Sequence, residues 1–532
     1  MGKCLIITAA DKAKDGSLPY LENYVGIVFK RGTSNGGEEN TTKEYVKMIG
    51  NENLIKENTF LNMMKVGLVK NARVIAYLNQ NDWTKLEDGT PSDLTGKDGT
   101  DVYLCHDDVY MINGGSDPDY EVYAISNEPF SYNDEAAKLV PMGGIPVDYG
   151  VIKDGKLRQI RDDSVLGTQS MTAVACDSIY GPDHRGGFPT TNLSRYAYEA
   201  AARALNDDAN SNVHYMNETC FDIEFIVAWM YIEFRSKHIN KFVGHGITSN
   251  QVPTAADWGK VSGWKITDDG VDKFFTLGTT VYKHGGTTTS GNMWQLINGS
   301  FPLLKTFESQ LSGNLEKVKN SDGEIISAPM TGIYTKTFSF VATFALTSTS
   351  EAKEYTVTVV LRNPVVRGKS NLFGQLLSWY SGYELTRTID AENNQHHMVY
   401  RAKSIEDCVK DASDANFDYE TKYEQLGELP VVAYNLGINY AKNSFIAKDG
   451  VNAALAKEKV AVGGMITNYD AAFYWNDNTT MPFGTTKQRK GSSFGGSAFI
   501  GPASLRFAYV SNSPSTAYPH RGSAPRVALR SV

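Results

Sequence analysis

Four short groups of polar residues in this sequence have side chains that could do chemistry. Trp475-Asn476-Asp477 offers amide and carboxylate oxygens, the ligands that calcium prefers, but a calcium site needs about six to eight of them. His396-His397 offers two imidazoles, although adjacent residues on a strand point in opposite directions and chelate poorly. Asp107-Asp108 and Asp162-Asp163 could be paired carboxylates for acid–base work. For each group we expect the plainer structure: a turn at 475–477, a solvated loop at 396–397, and surface loops at the two acid pairs.

No arrangement in the sequence indicates an enzyme. It contains no nucleophile elbow, phosphate-binding loop or dinucleotide fingerprint. The five cysteines are odd in number and widely scattered, without a CxxC or Cys/His spacing, which argues against a zinc site or a disulfide framework. We therefore expect no catalytic residue, no metal and no cofactor.

Length and charge restrict the function classes further. A chain of 532 residues exceeds one ordinary core and predicts two to four domains. The net charge is −8 without a basic block, which argues against sequence-independent nucleic-acid binding. The sequence has no apolar run long enough to span a membrane, and its first residues lack the pattern of a secretory signal. We expect a protein that is folded in a reducing cytoplasm and does not insert into a membrane.

A helix that begins near Thr219 is predicted to be the spine of the main domain. Thr219 and Asp222 have the spacing of a capping box, and Phe225 to Ile232 is apolar at every position. A helix that is apolar all round is buried on all sides. Gly244 and Gly246 are expected to stop it.

Shorter patterns predict the elements around this helix. Asp101–His106 and Tyr120–Ser126 are strand-like, and Ser194 is the expected cap of a helix that reaches Leu205. The polar, turn-rich segment 88–100 is expected to close a small separate unit at the N-terminus.

An alternation of apolar and polar residues predicts a β-module in the middle of the chain. Phe338 to Leu346 and Tyr355 to Leu361 alternate with period two, and Ser348 to Lys353 separates the two runs. This pattern predicts an antiparallel hairpin, in an inserted β-sandwich-like module that covers residues 257–363.

The segment from Phe494 to Arg526 has the composition of a binding surface. It is nearly free of acids and mixes Tyr, Phe, Ser, Asn, His and Arg on a backbone rich in Gly and Pro. Such residues supply contact area at low entropic cost together with adaptable hydrogen bonds. Composition alone favours the alternative, an ordinary terminal hairpin with a loop.

Four passages, in this order, resemble those of phage receptor-binding proteins with a C-type-lectin-like fold, the kind diversified by retroelements. The helix ending Trp229–Gly246 is similar to that family's "IEF…N…G.G" helix, and Arg367–Gly382 to its "RG.ENPFG..W.W.DG" passage. Ser493–Ser497 resembles the glycine-rich start of the variable segment, and Ala524–Arg530 the closing "G.R" strand. The segment 101–130 also resembles the family's opening strands.

This sequence departs from the family pattern at several positions. Leu372 and Ser381 stand where the family more often has Pro and Asp, and Ala524-Pro525 replaces the usual Gly-Phe. The fold is shared with formylglycine-generating enzymes, whose activity depends on a cysteine pair near the end of the chain. The last cysteine here is Cys408, so the resemblance does not carry over that activity.

The resemblance implies an α+β architecture in four parts. These are an N-terminal attachment domain at 1–97, a C-type-lectin-like domain at 98–256 and 364–532, and the inserted β-module at 257–363. The implied protein is a homotrimeric tail or fibre component of a phage virion that adheres to a host-surface glycan or protein and contacts other virion proteins through its N-terminal domain. A purely structural virion protein, such as a capsid or tail ornament, and a glycan-active enzyme are the alternatives.

The resemblance places the ligand contacts between Ser497 and Arg521. Phe499, Leu505, Phe507 and Tyr509 share one parity, which leaves Arg506 on the opposite face of a strand. The following loop is too polar for a core element and is stiffened by two prolines. The predicted ligand-binding residues are Ser497, Phe499, Arg506, Tyr509, Asn512, Tyr518, His520 and Arg521.

Overall fold

The structure is a computed structural model. It describes residues 23–30, 45–56, 64–115, 117, 120–167, 173–206, 214–236, 239–248, 253–283, 290–292, 303–389, 395–409, 419–429, 438–440, 459–461, 488–494, 496–497, 501–502 and 521–530.

Strand outweighs helix in this part of the chain, in agreement with an α+β or β-rich class. The strands that precede the longest helix are β1 (Tyr24–Lys30), β2 (Lys47–Gly50), β3 (Met64–Lys70), β4 (Arg73–Asn79), β5 (Asp82–Leu86), β6 (Asp101–His106), β7 (Val109–Gly114), β8 (Tyr120–Ser126), β9 (Ser131–Tyr132), β10 (Glu135–Ala136), β11 (Lys138–Val140), β12 (Gly143–Pro146), β13 (Val151–Lys153), β14 (Lys156–Arg158) and β15 (Tyr215–Asn217). Those that follow it are β16 (Gly263–Asp268), β17 (Val271–Phe275), β18 (Thr280–Tyr282), β19 (Ser290–Asn292), β20 (Gly332–Phe344), β21 (Lys353–Val365), β22 (Leu377–Ile389), β23 (Gln395–Ala402), β24 (Tyr423–Leu429), β25 (Ile438–Tyr440), β26 (Lys459–Ala461), β27 (Gln488–Phe494), β28 (Gly496–Ser497), β29 (Gly501–Pro502), β30 (Arg521–Ser523) and β31 (Pro525–Ala528).

The α-helices of the described residues are short, with one exception. They are α1 (Asn53–Lys56), α2 (Ala173–Tyr180), α3 (Arg195–Arg203), α4 (Cys220–Phe234), α5 (Asn240–Val243), α6 (Glu308–Leu311) and α7 (Tyr419–Lys422). The predicted cap of α3 is confirmed, because the Ser194 hydroxyl accepts from the Ala197 N–H at 3.1 Å. No described helix is both long and apolar enough to cross a membrane.

Two antiparallel sheets contain most of the strands that precede α4, and one of them also contains β31 from the C-terminal part of the chain. A seven-stranded sheet has the order β15-β31-β12-β6-β3-β4-β5, and a five-stranded sheet has the order β11-β7-β8-β1-β2. Strand β6 is buried along its whole length, with Val102 and Leu104 in the main core and Tyr103 and Cys105 in a second cluster on the opposite face. Because successive side chains of a strand point to opposite faces of the sheet, β6 contributes residues to a core on each side.

The described strands before residue 97 do not form a separate sheet, in contrast to the predicted N-terminal domain at 1–97. Strand β3 pairs with β6, and β1 pairs with β8, so both sheets contain strands from either side of that boundary. The turn-rich segment at 88–100 owes its composition to local turns: the carboxylates of Asp88 and Asp93 accept from the backbone N–H groups of Thr90 and Thr95, both at 2.9 Å. Such Asx turns suit a connection within a domain as well as a linker between domains.

Helix α4 is buried as the sequence predicts. Its capping box is confirmed, since the Asp222 carboxylate accepts from the Thr219 N–H at 2.8 Å and the Thr219 hydroxyl from the Asp222 N–H at 3.4 Å. Tyr231 meets Phe29 of the five-stranded sheet edge-on, and the ring of Phe225 lies 5.0 Å from that of His106 in the seven-stranded sheet. The helix therefore contacts both sheets.

The helix ends earlier than the glycines at 244 and 246 predict. Arg235 takes the left-handed conformation at φ 54° directly after Phe234. Its guanidinium group pairs with the carboxylates of Glu52 and Glu324, each at 3.0 Å, and of Asp322. Contacts from two distant segments offset the strain of an unfavourable backbone conformation, which no local sequence pattern could show.

The predicted hairpin in the middle of the chain is confirmed. Strands β20 and β21 pair over their whole lengths, with Phe338 opposite Val359 and Phe340 opposite Val357. They join β16 and β17 in a four-stranded sheet of the order β17-β16-β21-β20. Its inner face belongs to a cluster that also contains Tyr149 from before α4.

A further sheet follows the hairpin and gathers the C-terminal strands. It has the order β24-β23-β22-β27, and β30 pairs with β22 in parallel. Helix α4 contacts β22 as well as the two sheets that precede it.

Candidate functional site

The first residues of β22 hold both ends of the segment that the sequence singles out for binding. Ser378 pairs with Phe494 of β27 and with Gly522 of β30, and Trp379 pairs with Ser493 and Ser523. Because adjacent strands lie about 4.8 Å apart, the two strands that flank β22 are separated by roughly 10 Å. The chain therefore leaves this frame of β27, β22 and β30 after β27 and returns to it at β30, on the opposite side of β22.

The described part of the intervening segment starts with two short antiparallel strands. Gly496 pairs with Pro502 and Ser497 with Gly501, as strands β28 and β29. Ser497 is the predicted ligand-binding residue at the start of this segment, and the pairing places its backbone opposite Gly501.

The returning strand is tied deeply into the core. The Ser523 hydroxyl shares its one proton between the Asn217 side-chain oxygen at 2.5 Å and the Trp379 carbonyl at 2.9 Å. Strand β31 then lies between β15 and β12 in the seven-stranded sheet. Within it the Arg526 Nε donates to Asp222 Oδ1 of α4 at 2.9 Å, and both side chains are buried. The frame that carries the segment is thus continuous with the spine helix.

Like Asp222, other acids of α4 form buried ion pairs with distant segments of the chain. Four acids on the helix or just before it each meet a cation from the second half of the chain, in the pairs Glu218–Lys369, Asp222–Arg526, Glu224–Arg401 and Glu233–Arg367. Removing one partner of such a pair would leave an uncompensated buried charge, so each pair holds a distant segment in one position on the helix.

The Glu218–Lys369 pair is the most enclosed of the four, with both side chains fully buried. Lys369 Nζ lies 2.5 Å from the Glu218 carboxylate and donates to the Pro146 carbonyl at 2.8 Å. The Asn371 amide donates to the other carboxylate oxygen at 3.2 Å. Burial raises the pKa of Glu218, while Lys369 and Asn371 favour its charged form.

Arg367 combines an ion pair with a ring contact. Its guanidinium group pairs with Glu233 and lies over the Trp229 ring, 4.4 Å from the ring to the guanidinium carbon. The weakly hydrated guanidinium suits this buried stacked position better than an ammonium group would.

Glu224 and Arg401 line a cavity of about 500 Å³ between β7, the start of α4 and residues 403–406. Arg401 donates to Glu224 through Nε at 2.9 Å and through one terminal nitrogen at 2.7 Å, and its other terminal nitrogen lies 3.4 Å from Glu424. The Tyr383 hydroxyl donates to Glu224 at 2.6 Å. All three nitrogens of the Arg401 guanidinium group contact a carboxylate. The group therefore connects segments of the fold and is not available to bind an anion.

The acid pairs identified in the sequence take structural contacts. The Asp108 carboxylate accepts from the Met142 N–H at 2.8 Å, and Asp163 pairs with Lys305 at 3.1 Å. Burial opposes ionisation of Asp162, but hydrogen bonds from Lys153 and Ser164 lower its pKa to about 2. Within the described ranges, no three His, Cys, Asp and Glu side chains come together in a group that could hold a metal ion.

The histidine pair is not in a loop as predicted. His396 and His397 lie on β23, with backbone pairings to Thr388 and Arg387. The polar residues before the pair gave it the composition of a loop, and the pairing with β22 overrides that local signal. The tripeptide Trp475–Asp477 lies outside the described residues.

The structure describes the backbone of two of the predicted ligand-binding residues. Ser497 is on β28, and Arg521 is the first residue of β30, opposite Leu377 of β22. The other predicted residues lie outside the described part of the chain: Phe499, Arg506, Tyr509, Asn512, Tyr518 and His520.

Sequence reasoning missed the ion pairs, although a signal for them was present. Glu224 and Glu233 stand on a helix that is otherwise apolar around its circumference. A charge in such a position has to be paired, because burying an isolated charge is very costly. The partner in each case cannot be read from spacing, since it comes from a segment more than a hundred residues away in the chain.

Comparison with known proteins adds no relative to this picture: no protein-family model matches the chain, and no curated protein matches it.

Proposed function

We propose that this protein is a component of a phage virion, part of a tail or fibre, that binds a host-surface glycan or protein through residues 497–521. The observation that carries the proposal is the frame at Ser378 and Trp379, which holds both ends of that segment on the two strands that flank β22. Binding folds commonly separate a rigid scaffold from the residues that contact the ligand.

The buried contacts of the returning strand support this division of roles. Ser523 is fixed by two hydrogen bonds and Arg526 by its pair with Asp222. A segment anchored at both ends loses less conformational freedom on binding than a free tail does, which favours affinity.

The resemblance to C-type-lectin-like phage proteins supports the proposal through residues that meet in space. Glu233, in the passage that resembles the family's helix, pairs with Arg367 at the start of the second passage. Arg526, in the passage that resembles the closing strand, pairs with Asp222 of the same helix. Two of the passages that suggested the family are therefore in direct contact through buried charges, and a third pairs with the same helix.

The proposal includes a homotrimer that attaches to other virion proteins through the N-terminal part of the chain. Single contacts to surface glycans are weak, and linking identical sites raises apparent affinity by about 10²–10⁴.

A binding assay with the full chain tests the proposed function. Labelled protein is applied to a glycan array and to a panel of intact bacterial cells, and saturable binding to at least one of them is expected. Arg506→Ala should weaken that binding at least about tenfold, as loss of one charged contact does. Ser339→Ala is the matched control, since Ser339 lies on the exposed face of β20 and should bind as the wild type does.

Two outcomes would contradict the proposal. Absence of saturable binding to any cell or glycan would favour a purely structural virion protein. Equal loss of binding in Arg506→Ala and Ser339→Ala would move the site away from residues 497–521.

A further inference from the structure

The thiols of Cys220 and Cys408, from distant parts of the chain, both lie next to Gly382. Cys220 is the first residue of α4, and Cys408 lies in a single 3-10 turn, Glu406–Val409, that follows β23. A Cβ atom placed on Gly382 would lie 2.6 Å from the Cys220 sulfur and 2.8 Å from the Cys408 sulfur. Both sulfur atoms therefore border the same point.

The backbone at Gly382 is shaped to leave this space. Gly382 has φ +102°, a conformation that side-chain-bearing residues rarely adopt. It lies where the pairing of β22 with β27 shifts register, between Trp379 and Glu384. The register shift marks a β-bulge, and the glycine at this point leaves room for both sulfur atoms.

We propose that Cys220 and Cys408 are a disulfide-forming pair, which closes when the protein meets an oxidising environment and fastens the 406–409 turn to the first turn of α4. The inference does not depend on what the protein binds. It assigns a covalent modification site to a chain whose cysteine spacing suggested none.

The other chemistry open to two adjacent thiols is metal binding, and the surroundings do not support it. A thiolate metal site requires further ligands, and within the described residues no third His, Cys, Asp or Glu completes such a group. Cys105 is also a free cysteine, and it belongs to a different cluster on the far face of β6.

The oxidation proceeds by thiol–disulfide exchange with a small disulfide such as oxidised glutathione. The Cys408 thiolate attacks one glutathione sulfur, which breaks that disulfide and releases one glutathione thiolate. The Cys220 thiolate then attacks the Cys408 sulfur and releases the second glutathione. One protein S–S bond replaces two S–H bonds, two electrons pass to glutathione, and the two protons end on the released glutathione thiols.

Burial makes this reaction slow in the folded protein. Cys220 is fully buried, and Cys408, 6% exposed, donates to the Ser404 carbonyl at 3.6 Å. Burial and the neighbouring thiol raise the pKa of Cys220, which lowers its thiolate fraction. The cavity lined by Phe221 and residues 403–406 borders both cysteine-bearing elements and offers the oxidant a route when the turn opens.

The experiment compares the full chain after purification in a thiol reductant and after incubation with oxidised glutathione at pH 8.5. Free thiols are then alkylated in denaturant, and peptides are identified by mass spectrometry. We expect a crosslinked peptide pair containing Cys220 and Cys408, lost on reduction, together with a rise in melting temperature of roughly 5 °C. Cys408→Ser should lose both effects, and Cys105→Ser, the matched control, should keep them.

A second variant keeps the inference testable if Cys408→Ser proves unstable. Cys220→Ser should likewise lose the crosslink while Cys408 then accumulates as a mixed disulfide with glutathione. Recovery of both cysteines as free alkylated thiols after oxidation would overturn the inference. So would a bond from either cysteine to any other cysteine, or a mixed disulfide on Cys408 that never resolves in the wild type.

Discussion

Helix α4 and the four-stranded sheet are stabilised in opposite ways. All but one of the fifteen residues of the helix are buried, and its acids pair with cations from segments far away in the chain. Strands β20 and β21 instead pair with each other over thirteen residues each, and the outward residues of β20 are exposed. One element depends on long-range contacts and the other mainly on a local hairpin.

The difference indicates what each region contributes to the proposed binding. The long-range ion pairs of α4 include Arg526, in the strand that follows the 497–521 segment. The frame for that segment therefore depends on the helix. The four-stranded sheet has no described backbone pairing with β22, β27 or β30.

Trp229→Ala should give the largest loss of stability. Trp229 is 1% exposed, so its removal leaves a cavity in the middle of the core, at a cost of about 3–5 kcal/mol. Loss of the contact with Arg367 adds to that cost. Urea denaturation measures the change in the free energy of unfolding, and a loss below about 1 kcal/mol would contradict the buried position.

Lys369→Ala should be nearly as destabilising, by about 3–5 kcal/mol, because it leaves the Glu218 carboxylate buried without its partner. The double variant Glu218→Gln/Lys369→Met is the control. It removes both charges, and we expect it to recover most of the loss in thermal and urea unfolding. A double variant as unstable as Lys369→Ala would show that the stabilisation does not come from pairing.

His106 should make the core around α4 sensitive to acid. Burial lowers the pKa of His106 to about 4, below its value of about 6.5 in an unfolded chain. Stability from the neutral ring is fully present above pH 6.5 and falls as the pH drops towards 4. The contribution lost between pH 7 and pH 4.5 is roughly 2–3 kcal/mol.

The measurement compares urea unfolding of the wild type and His106→Gln at pH 7 and pH 4.5. The comparison is needed because Asp101 has the opposite sign: burial raises its pKa to about 6, so its contribution is present at low pH and is lost as the pH rises through 6. The variant should lose less stability in acid than the wild type. Equal losses would place the titration elsewhere.

Two valines in the four-stranded sheet should show the smallest effects. Val341 is 58% exposed on β20, and Val341→Thr should change the free energy of unfolding by less than about 0.5 kcal/mol. Val357 on β21 is fully buried. Val357→Thr should lower the free energy of unfolding by about 1–3 kcal/mol, because the threonine hydroxyl enters an apolar cluster. Neither should alter ligand binding, and a loss of binding in either variant would link this sheet to the frame.

The features that sequence reasoning predicted well are those that depend on residues close together in the sequence. The capping box at Thr219 and the alternation that begins at Phe338 depend on bonds and periods within a few positions. The end of α4 at Arg235 and the pairing of β3 with β6 depend on contacts between distant segments, which leave no local pattern. The same reason explains the incorrect boundary at residue 97.

The candidate site also has a part that the sequence predicts and a part that it cannot predict. Composition and the family resemblance together led to the prediction of this segment, and the pairings of Ser378 show how its ends are held. The sequence could not show that both ends are held by one strand, because β22, β27 and β30 are separated by long stretches of chain.

The central claim is that residues 497–521 bind a ligand from a frame whose stability does not depend on them. Tyr518→Ala/His520→Ala tests it most directly, with cell or glycan binding and the melting temperature measured on the same preparation. The account predicts that binding is abolished and that the melting temperature changes by less than about 2 °C, as expected for exposed side chains. Normal binding by the double variant, or a large fall in its melting temperature, would contradict the claim.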